Sequence, residues 1–452
     1  MFMSPLYLIL LTASSILLLF FLVMYVRLQA FIALLLVSIL VAIFGGVPIG
    51  EVAQTINDGM GGTLGYIAVV IGVGTMLGEI IQVSGGARKI ADSIIQTFGE
   101  KRAQPALGLI GIIVAIPVFF EVALILFIPL VYDLTRRSGK SILYYGIPLV
   151  AGIAVAHAFI PPTPGPVAVA SLIGADLGWV ILIGLIAGIP SAIAGGIVFG
   201  TFIAGKIHRG VPDYMTVDEL ADDKSGDRRQ PTFLMVVAII ALPLFLILLN
   251  TTSDVVLAED TTLRQWISFI GHPFTALILA VLCAFYFLGT RLGFTAEEIQ
   301  RVATKSMEPV GMIILVTGAG GVFGQVLITT GVGDVLVELI ETTNIPVILF
   351  GFLVATVVRV SQGSATVSMV TAAGLMAPIV QSGDFSAPLI GCITIAIACG
   401  STVLSHVNDS GFWLVSKLMG LTEKETLYSW TIMETVIGVT GLLVVMIIGA
   451  FL

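Results

Sequence analysis

The chain of 452 residues has a net charge of −8, and 57% of its residues are hydrophobic while 11% are charged. Soluble domains carry roughly 25% charged residues, so the composition excludes a soluble enzyme or a nucleic-acid-binding domain and predicts an all-α polytopic membrane protein. The three cysteines lie in apolar runs without metal-ligand spacing. The chain also lacks Walker, His-Glu-x-x-His and Gly-x-Ser-x-Gly sequences, so we expect neither an ATP-driven pump nor an enzyme, and no cofactor or metal.

Apolar segments follow one another along the whole chain, at 5–26, 30–48, 64–84, 106–135, 142–173, 178–205, 232–250, 272–290, 307–330, 345–380, 388–417 and 428–451. Segments 106–135 and 345–380 are interrupted by polar or helix-breaking residues, which leaves arms too short to cross a membrane and predicts two re-entrant hairpins. Segments 142–173 and 388–417 are predicted to be membrane-crossing helices with an unwound middle, because prolines or polar residues interrupt them. The sequence therefore predicts about ten transmembrane helices plus two hairpins.

An internal similarity divides the chain into two halves. The segment 72–85 aligns with 318–331 at four glycines, and the order of helices, hairpin and broken helix is the same in both halves. If the hairpins do not cross, each half crosses five times, so residues 1–205 and 232–452 are predicted to be inverted repeats, as in secondary transporters. Residues 206–231 form a charged linker between them.

The distribution of basic residues gives the predicted orientation. In this scheme nearly all Lys and Arg residues, including those of the linker, fall on one side of the membrane, and the other side receives only Arg264. Because basic loops face the cytoplasm, we expect the linker to be cytoplasmic and both termini to lie outside.

The polar stretch inside the second hairpin is the first candidate site. Arg359 lies beside a tip that contains Gly363, Ser364 and Thr366, and a charge at such depth is costly and therefore usually functional. The alternative is that Arg359 only pairs with a structural carboxylate. At the tip of the first hairpin Glu121 stands among apolar residues, where burial favours the protonated form, so it is a candidate for proton coupling or, alternatively, the permanent partner of Arg359.

The interruption of the first broken helix, residues 157–166, contains four prolines in six residues. The arm that follows it is expected to point backbone N–H groups of its first turn, around Gly165, at an anion. His157 and Thr163 could bind a hydroxylated ligand; the alternatives are a histidine that bridges backbone groups and a threonine that caps the helix.

The interruption of the second broken helix offers Ser405, His406, Asn408 and Asp409. We interpret these side chains as donors and acceptors for ligand hydroxyls, with Asp409 as a second titrating group. The alternative for the Asn-Asp pair is a helix cap.

Two further acidic residues, Glu79 and Glu434, lie in apolar segments. In this scheme each is close to the end of its helix, so both are predicted to lie at the membrane interface.

Several motifs of the chain resemble those of the gluconate permease family, within a wider ion-transporter superfamily. They are Gly61-Gly-Thr-Leu-Gly65, Phe119-Phe-Glu121, residues 157–166, Gly363-Ser-Ala-Thr-Val367 and residues 405–414. The resemblance covers essentially the whole chain. It implies a bacterial inner-membrane symporter that imports gluconate or a related sugar acid with protons, as a homodimer working by an elevator motion.

The same resemblance implies that Glu121, the 157–166 break, the 363–366 tip and the 405–409 break line the substrate site. Gluconate-transporting members usually have histidine where this chain has Thr163, which gives weight to a smaller hydroxy acid such as glycerate. Sodium-coupled carboxylate transport is a further alternative to proton coupling.

Overall fold

The computed structural model describes residues 4–99, 102–212, 229–258, 261–308, 310–332, 335, 345–407 and 409–452. Every regular element within these ranges is a helix, which confirms the predicted all-α class. Nine of the described helices are long and apolar enough to cross a membrane.

The helices of the first half are α1 (Pro5–Phe20), α2 (Ala30–Phe44), α3 (Ile49–Val83), α4 (Gly86–Phe98), α5 (Ala103–Ala115), α6 (Phe120–Ser138), α7 (Ile142–Phe159), α8 (Pro164–Ile173), α9 (Leu177–Ala192) and α10 (Phe199–Lys206). A π-helical segment, Ile193–Val198, joins α9 to α10 into one long helix.

The helices of the second half are α11 (Phe233–Val256), α12 (Thr262–Gly271), α13 (Pro273–Ala284), α14 (Ala296–Ser306), α15 (Val310–Thr329), α16 (Val347–Gln362), α17 (Ala365–Ser382), α18 (Ala387–Thr402), α19 (Ser410–Met419), α20 (Glu423–Thr426) and α21 (Ile432–Gly449). The π-helical turn Leu427–Thr431 joins α20 to α21, so the last helix runs from Glu423 to Gly449.

Eight of the nine candidate spans coincide with segments predicted to cross the membrane, and the ninth is α17, the second arm of the predicted second hairpin. At 18 residues α17 is about 27 Å long, so this arm is longer than the sequence suggested. The helix predicted at 64–84 starts much earlier, at Ile49 directly after Pro48.

All four predicted interruptions are present. The first hairpin, α5 and α6, turns at residues 116–119, and the second, α16 and α17, turns at Gly363–Ser364. Gly363 ends α16 with φ 80°, a left-handed conformation that glycine adopts without strain. The broken helices are α7–α8 and α18–α19, and the first break contains a cis peptide bond between Pro161 and Pro162.

The interrupted elements pack together in the same way in each half. The first arm of each hairpin lies against the first arm of the following broken helix, α5 on α7 and α16 on α18. Across the halves, α8 packs on α17, and α3 packs on α15. The similar segments 72–85 and 318–331 contain the C-terminal ends of α3 and α15, and these two helices contact each other. The inverted arrangement of the two halves stays a prediction.

The tip of the first hairpin rests directly on α3. A Cβ atom at Gly78 would lie 1.8 Å from the carbonyl oxygen of Pro117, so only glycine permits this approach. The hairpin tip is therefore held at the middle of the bundle by backbone contact.

Candidate functional site

A cavity lies where the hairpin tips and the helix breaks meet. It contains about 540 Å³ of space not filled by protein atoms, counted out to its open side. The first hairpin, α7, the second hairpin, the second break and the last helix each contribute to its wall. The two halves of the chain therefore share one cavity, as the sequence predicted.

A buried ion pair forms one side of the cavity. Arg359 is 2% exposed, and its Nη2 lies 2.5 Å from Oδ2 of Asp409. Its Nη1 donates to the carbonyl oxygen of Gly363, while none of the described residues accepts a hydrogen bond from its Nε. The sequence left Glu121 as the possible partner of Arg359; the structure gives that role to Asp409, and the Nε–H of Arg359 is buried without a partner among the described residues.

Asp409 is held by several donors at once. Its Oδ1 accepts from the backbone N–H of Gly411 at 2.9 Å, which caps α19, and its Oδ2 also accepts from the hydroxyl of Ser405. The indole Nε1 of Trp430 donates to Ser405 Oγ at 2.7 Å, and the hydroxyl of Thr431 donates to the Ser405 carbonyl oxygen. Asp409 thus caps α19, as the alternative predicted, and also lines the cavity.

Three helix N-termini point at the cavity. The first residues of α6, α17 and α19 all line it. Ser364 caps α17 by accepting from the N–H of Val367, whereas no described side chain caps α6. The partial positive charge of each helix N-terminus adds to that of Arg359, and this part of the cavity attracts an anion, although three carboxylates also line the cavity.

Acidic residues line the same cavity. Glu121 lies in the first turn of α6 and is exposed, whereas burial was expected from its apolar neighbours. Glu434 also lines the cavity and is only 4% exposed, although the sequence placed it at the membrane interface. A capping box formed by Thr422 and Glu425 starts the last helix earlier than predicted, so Glu434 lies farther from the helix end than the sequence suggested. This capping box is the local sequence signal from which the position of Glu434 could have been predicted.

His157 also lines the cavity, from the last turn of α7. Its ring is 6.4 Å from the ring of Phe120, measured between centroids, and Phe120 also packs on Trp430 at 5.4 Å. The Nδ1 atom of His157 is inaccessible and has no hydrogen-bond partner among the described residues. The structure therefore does not support the bridging of backbone groups by Nδ1.

Thr163 and Gly165 lie away from this cavity. Thr163 lines a smaller one of about 270 Å³ that also includes His157, and its hydroxyl donates to the carbonyl oxygen of Ile160 at 2.7 Å. A Cβ at Gly165 would lie 2.6 Å from the sulfur of Met369, so this glycine allows α8 to approach α17. The N-terminus of α8, expected at the anion, faces the smaller cavity.

Three other predicted residues complete the second break and hairpin. The hydroxyl-bearing Thr366 lines the cavity. His406 is half-buried, with its Nε2 3.0 Å from the carbonyl oxygen of Val360, so it links the break to α16. Asn408 lies outside the described residues.

A third cavity, of about 760 Å³, adjoins the first hairpin on the other side. It shares Phe119 with the smaller cavity, which in turn shares His157 with the main one. Glu79, predicted at the interface, is half-buried and lines this third space together with Lys305. The three cavities follow the tip of the first hairpin.

Within the described ranges, His, Cys, Asp and Glu side chains nowhere gather in a group of three that could hold a metal ion. The polar groups of the main cavity are instead an arginine, helix N-termini, hydroxyls and three carboxylates. The arginine and the helix N-termini are the groups that can bind a carboxylate ligand, and the hydroxyls are the groups that can bind its hydroxyls.

An all-helical bundle of apolar helices around such a cavity defines a membrane transporter. Residues 6–451 match the GntP family permease model, and the chain belongs to that family, as the sequence motifs indicated. It is 42% identical to the low-affinity gluconate transporter of Escherichia coli strain K12 over 445 residues, which cover 98% of this chain and 99% of that protein. It is 38% identical to the gluconate permease of Pseudomonas aeruginosa over 428 residues, 94% of each chain. These relatives are transporters, not enzymes.

The fold is also similar to that of a solved transporter. MtrF of Neisseria gonorrhoeae, described as illuminating a class of antimetabolite efflux pumps, superposes with a TM-score of 0.67 at 12% sequence identity, covering 92% of this chain and 94% of that one. At this identity the likeness concerns the fold.

Proposed function

We propose that this protein is a proton-coupled symporter that imports gluconate or a closely related sugar acid across the bacterial inner membrane. The observation that carries the proposal is the cavity in which Arg359 and three helix N-termini converge. Its relatives named as gluconate transporters supply the substrate class.

The substrate carboxylate would bind at Arg359, which lines the cavity, and at the uncapped N-terminus of α6. Hydroxyls along the acid would meet Ser364, Thr366 and His157, which line the same cavity. Both oxygens of Asp409 already accept hydrogen bonds, so a proton there would displace a donor. Glu121, exposed at the cavity, is the group through which protons would exchange with water.

Thr163 stands where gluconate-transporting members usually have histidine, and this difference bears on which acid is the substrate. Because it lines the smaller cavity and its hydroxyl is bonded to Ile160, its identity does not set the size of the main cavity. This supports gluconate over glycerate as the first substrate to test.

For transport we propose the elevator motion that the resemblance implies. The two hairpins and two broken helices, which pack on one another, would move together against a dimeric scaffold of the remaining helices. The linked cavities toward Lys305, on the predicted cytoplasmic side, would form the path of release. The termini would lie in the periplasm. Labelling of intact cells that carry a cysteine introduced at either terminus of the chain tests this orientation. Protection of both cysteines from a membrane-impermeant reagent contradicts it.

Uptake of radiolabelled gluconate into proteoliposomes tests the function. With the potential clamped, an outside-acid pH gradient should drive accumulation above the equilibrium level, and a sodium gradient at equal pH should not. One proton carried with one monoanion moves no net charge, so an imposed potential, worth about 2.3 kcal/mol per charge per 100 mV, should add nothing. Accumulation driven by sodium alone would replace proton coupling by sodium coupling. Competition by unlabelled glycerate, idonate and gluconate ranks the substrates.

A further inference from the structure

Glu434 is a buried carboxylate that the sequence did not assign to the site. It lies about three turns into the last helix, counted from Glu423, and lines the cavity. Its side chain is 4% exposed, so it is shielded far better than Glu121.

No described residue forms a hydrogen bond with the inaccessible Oε1 of Glu434. Both members of the Arg359–Asp409 pair interact electrostatically with it, but the guanidinium already binds Asp409 and the carbonyl oxygen of Gly363. Among the residues that the structure describes, Glu434 thus has no counter-ion of its own. An ionised carboxylate buried in this way is costly, and binding of a proton removes the cost.

The other titratable groups around Glu434 are accounted for. Arg359 faces it from α16, Asp409 from the start of α19, His157 from α7 and Glu121 from α6. Cys399 of α18 lies farther along the last helix, beside Gly441. Helix α9, which also packs on α21, carries no titratable side chain.

We infer that Glu434 binds the proton that travels with the substrate, an inference that rests on the proton-coupled function proposed above. Apart from Glu121, which is exposed to water, the charges of Arg359, Asp409 and ionised Glu434 in the empty cavity sum to one negative charge. When the acid binds as a monoanion, a hydronium ion outside gives its proton to a Glu434 oxygen, an O–H bond forms, and the sum stays at one negative charge. Binding of the anion without the proton would leave two negative charges in a poorly solvated space. Release reverses both steps, and water on the other side takes the proton.

Proton uptake on substrate binding tests the inference directly. Purified protein in detergent and weak buffer receives gluconate, and a pH indicator reports protons taken up per gluconate bound. Below the pH at which Glu434 titrates no uptake is expected, and above it uptake should approach one proton for each gluconate. Glu434→Gln should bind gluconate with an affinity that no longer falls as pH rises, and should take up no proton. Glu423→Gln, the same change at an exposed position of the same helix, is the matched control and should behave as the wild type.

The outcomes separate the two proposals. If the wild type takes up no proton at any pH, the coupling proposed above fails. If the wild type takes up a proton and Glu434→Gln does so equally, the function stands and the assignment to Glu434 is overturned. Loss of uptake in Glu121→Gln or His157→Gln, with uptake retained in Glu434→Gln, gives the proton to that residue instead.

A conservative variant covers the case in which Glu434→Gln does not fold, as judged by gel filtration and gluconate binding. Glu434→Asp keeps the carboxylate but withdraws it by one methylene from its surroundings. The pH at which gluconate affinity is half-maximal should then shift while proton uptake persists. An unchanged midpoint would overturn the inference.

Discussion

The strongest prediction concerns the ion pair between Arg359 and Asp409. The two side chains are 2% and 12% exposed, and their charged atoms are 2.5 Å apart. At an effective dielectric constant of about 20, unit charges with centres about 4 Å apart attract by about 4 kcal/mol. Removing one partner from a buried pair accordingly costs about 3–5 kcal/mol, because the other charge stays buried without compensation.

We therefore expect Arg359→Met and Asp409→Asn each to lower the free energy of unfolding by about 3–5 kcal/mol. Asparagine caps helices as well as aspartate does, so Asp409→Asn removes the charge and keeps the cap on α19. The double variant leaves neither charge unpaired. Its loss in free energy of unfolding should be smaller than the sum of the losses of the two single variants by about 2 kcal/mol or more.

The measurement is unfolding in mixed detergent micelles with increasing SDS, followed by tryptophan fluorescence. Asp133→Asn, which breaks an exposed pair with Arg137 in α6, is the control and should change stability by less than about 1 kcal/mol. Additivity of the two single losses to within about 0.5 kcal/mol would refute the reasoning, because it would mean that the two charges do not interact.

Two other substitutions test the packing around the site. Gly78→Ala should cost about 1–3 kcal/mol and abolish gluconate uptake, because its Cβ would meet the carbonyl oxygen of Pro117; Gly61→Ala, on the same helix with open space, should leave both thermal stability and uptake unimpaired. Thr163→Val loses its hydrogen bond to Ile160 and should cost about 1 kcal/mol in SDS unfolding, while the gluconate Kd changes by less than about threefold, since the hydroxyl is outside the main cavity. A large change in Kd for Thr163→Val, or normal uptake by Gly78→Ala, contradicts the arrangement described.

Local chemistry explains why the helix breaks could be predicted from the sequence. Four prolines between residues 161 and 166 cannot continue a helix, and Gly363 next to Ser364 supplies both a left-handed helix end and a cap. The burial of Arg359 agrees with its place inside a long apolar run. These features depend on neighbours a few positions away, which a single sequence displays.

Pairings between distant elements could not be predicted in this way. Arg359 and Asp409 are 50 positions apart, and the sequence offered several carboxylates as partner. The separation of Thr163 from the main cavity depends on how α8 packs on α17. Glu434 was misplaced for a different reason: the apolar run starts later than the helix, whose polar first turns are visible only through the capping box at Thr422.

The three helix ends that face the cavity have a consequence for how substrate choice can change. Backbone amides persist whatever side chain is substituted, proline excepted, so few point mutations that preserve the fold weaken their attraction for a carboxylate. Hydroxyl recognition, by contrast, depends on side chains such as Ser364 and Thr366, each replaceable singly. A transporter of this kind can therefore change which organic acid it prefers by substitution of single side chains, while it keeps its preference for acids.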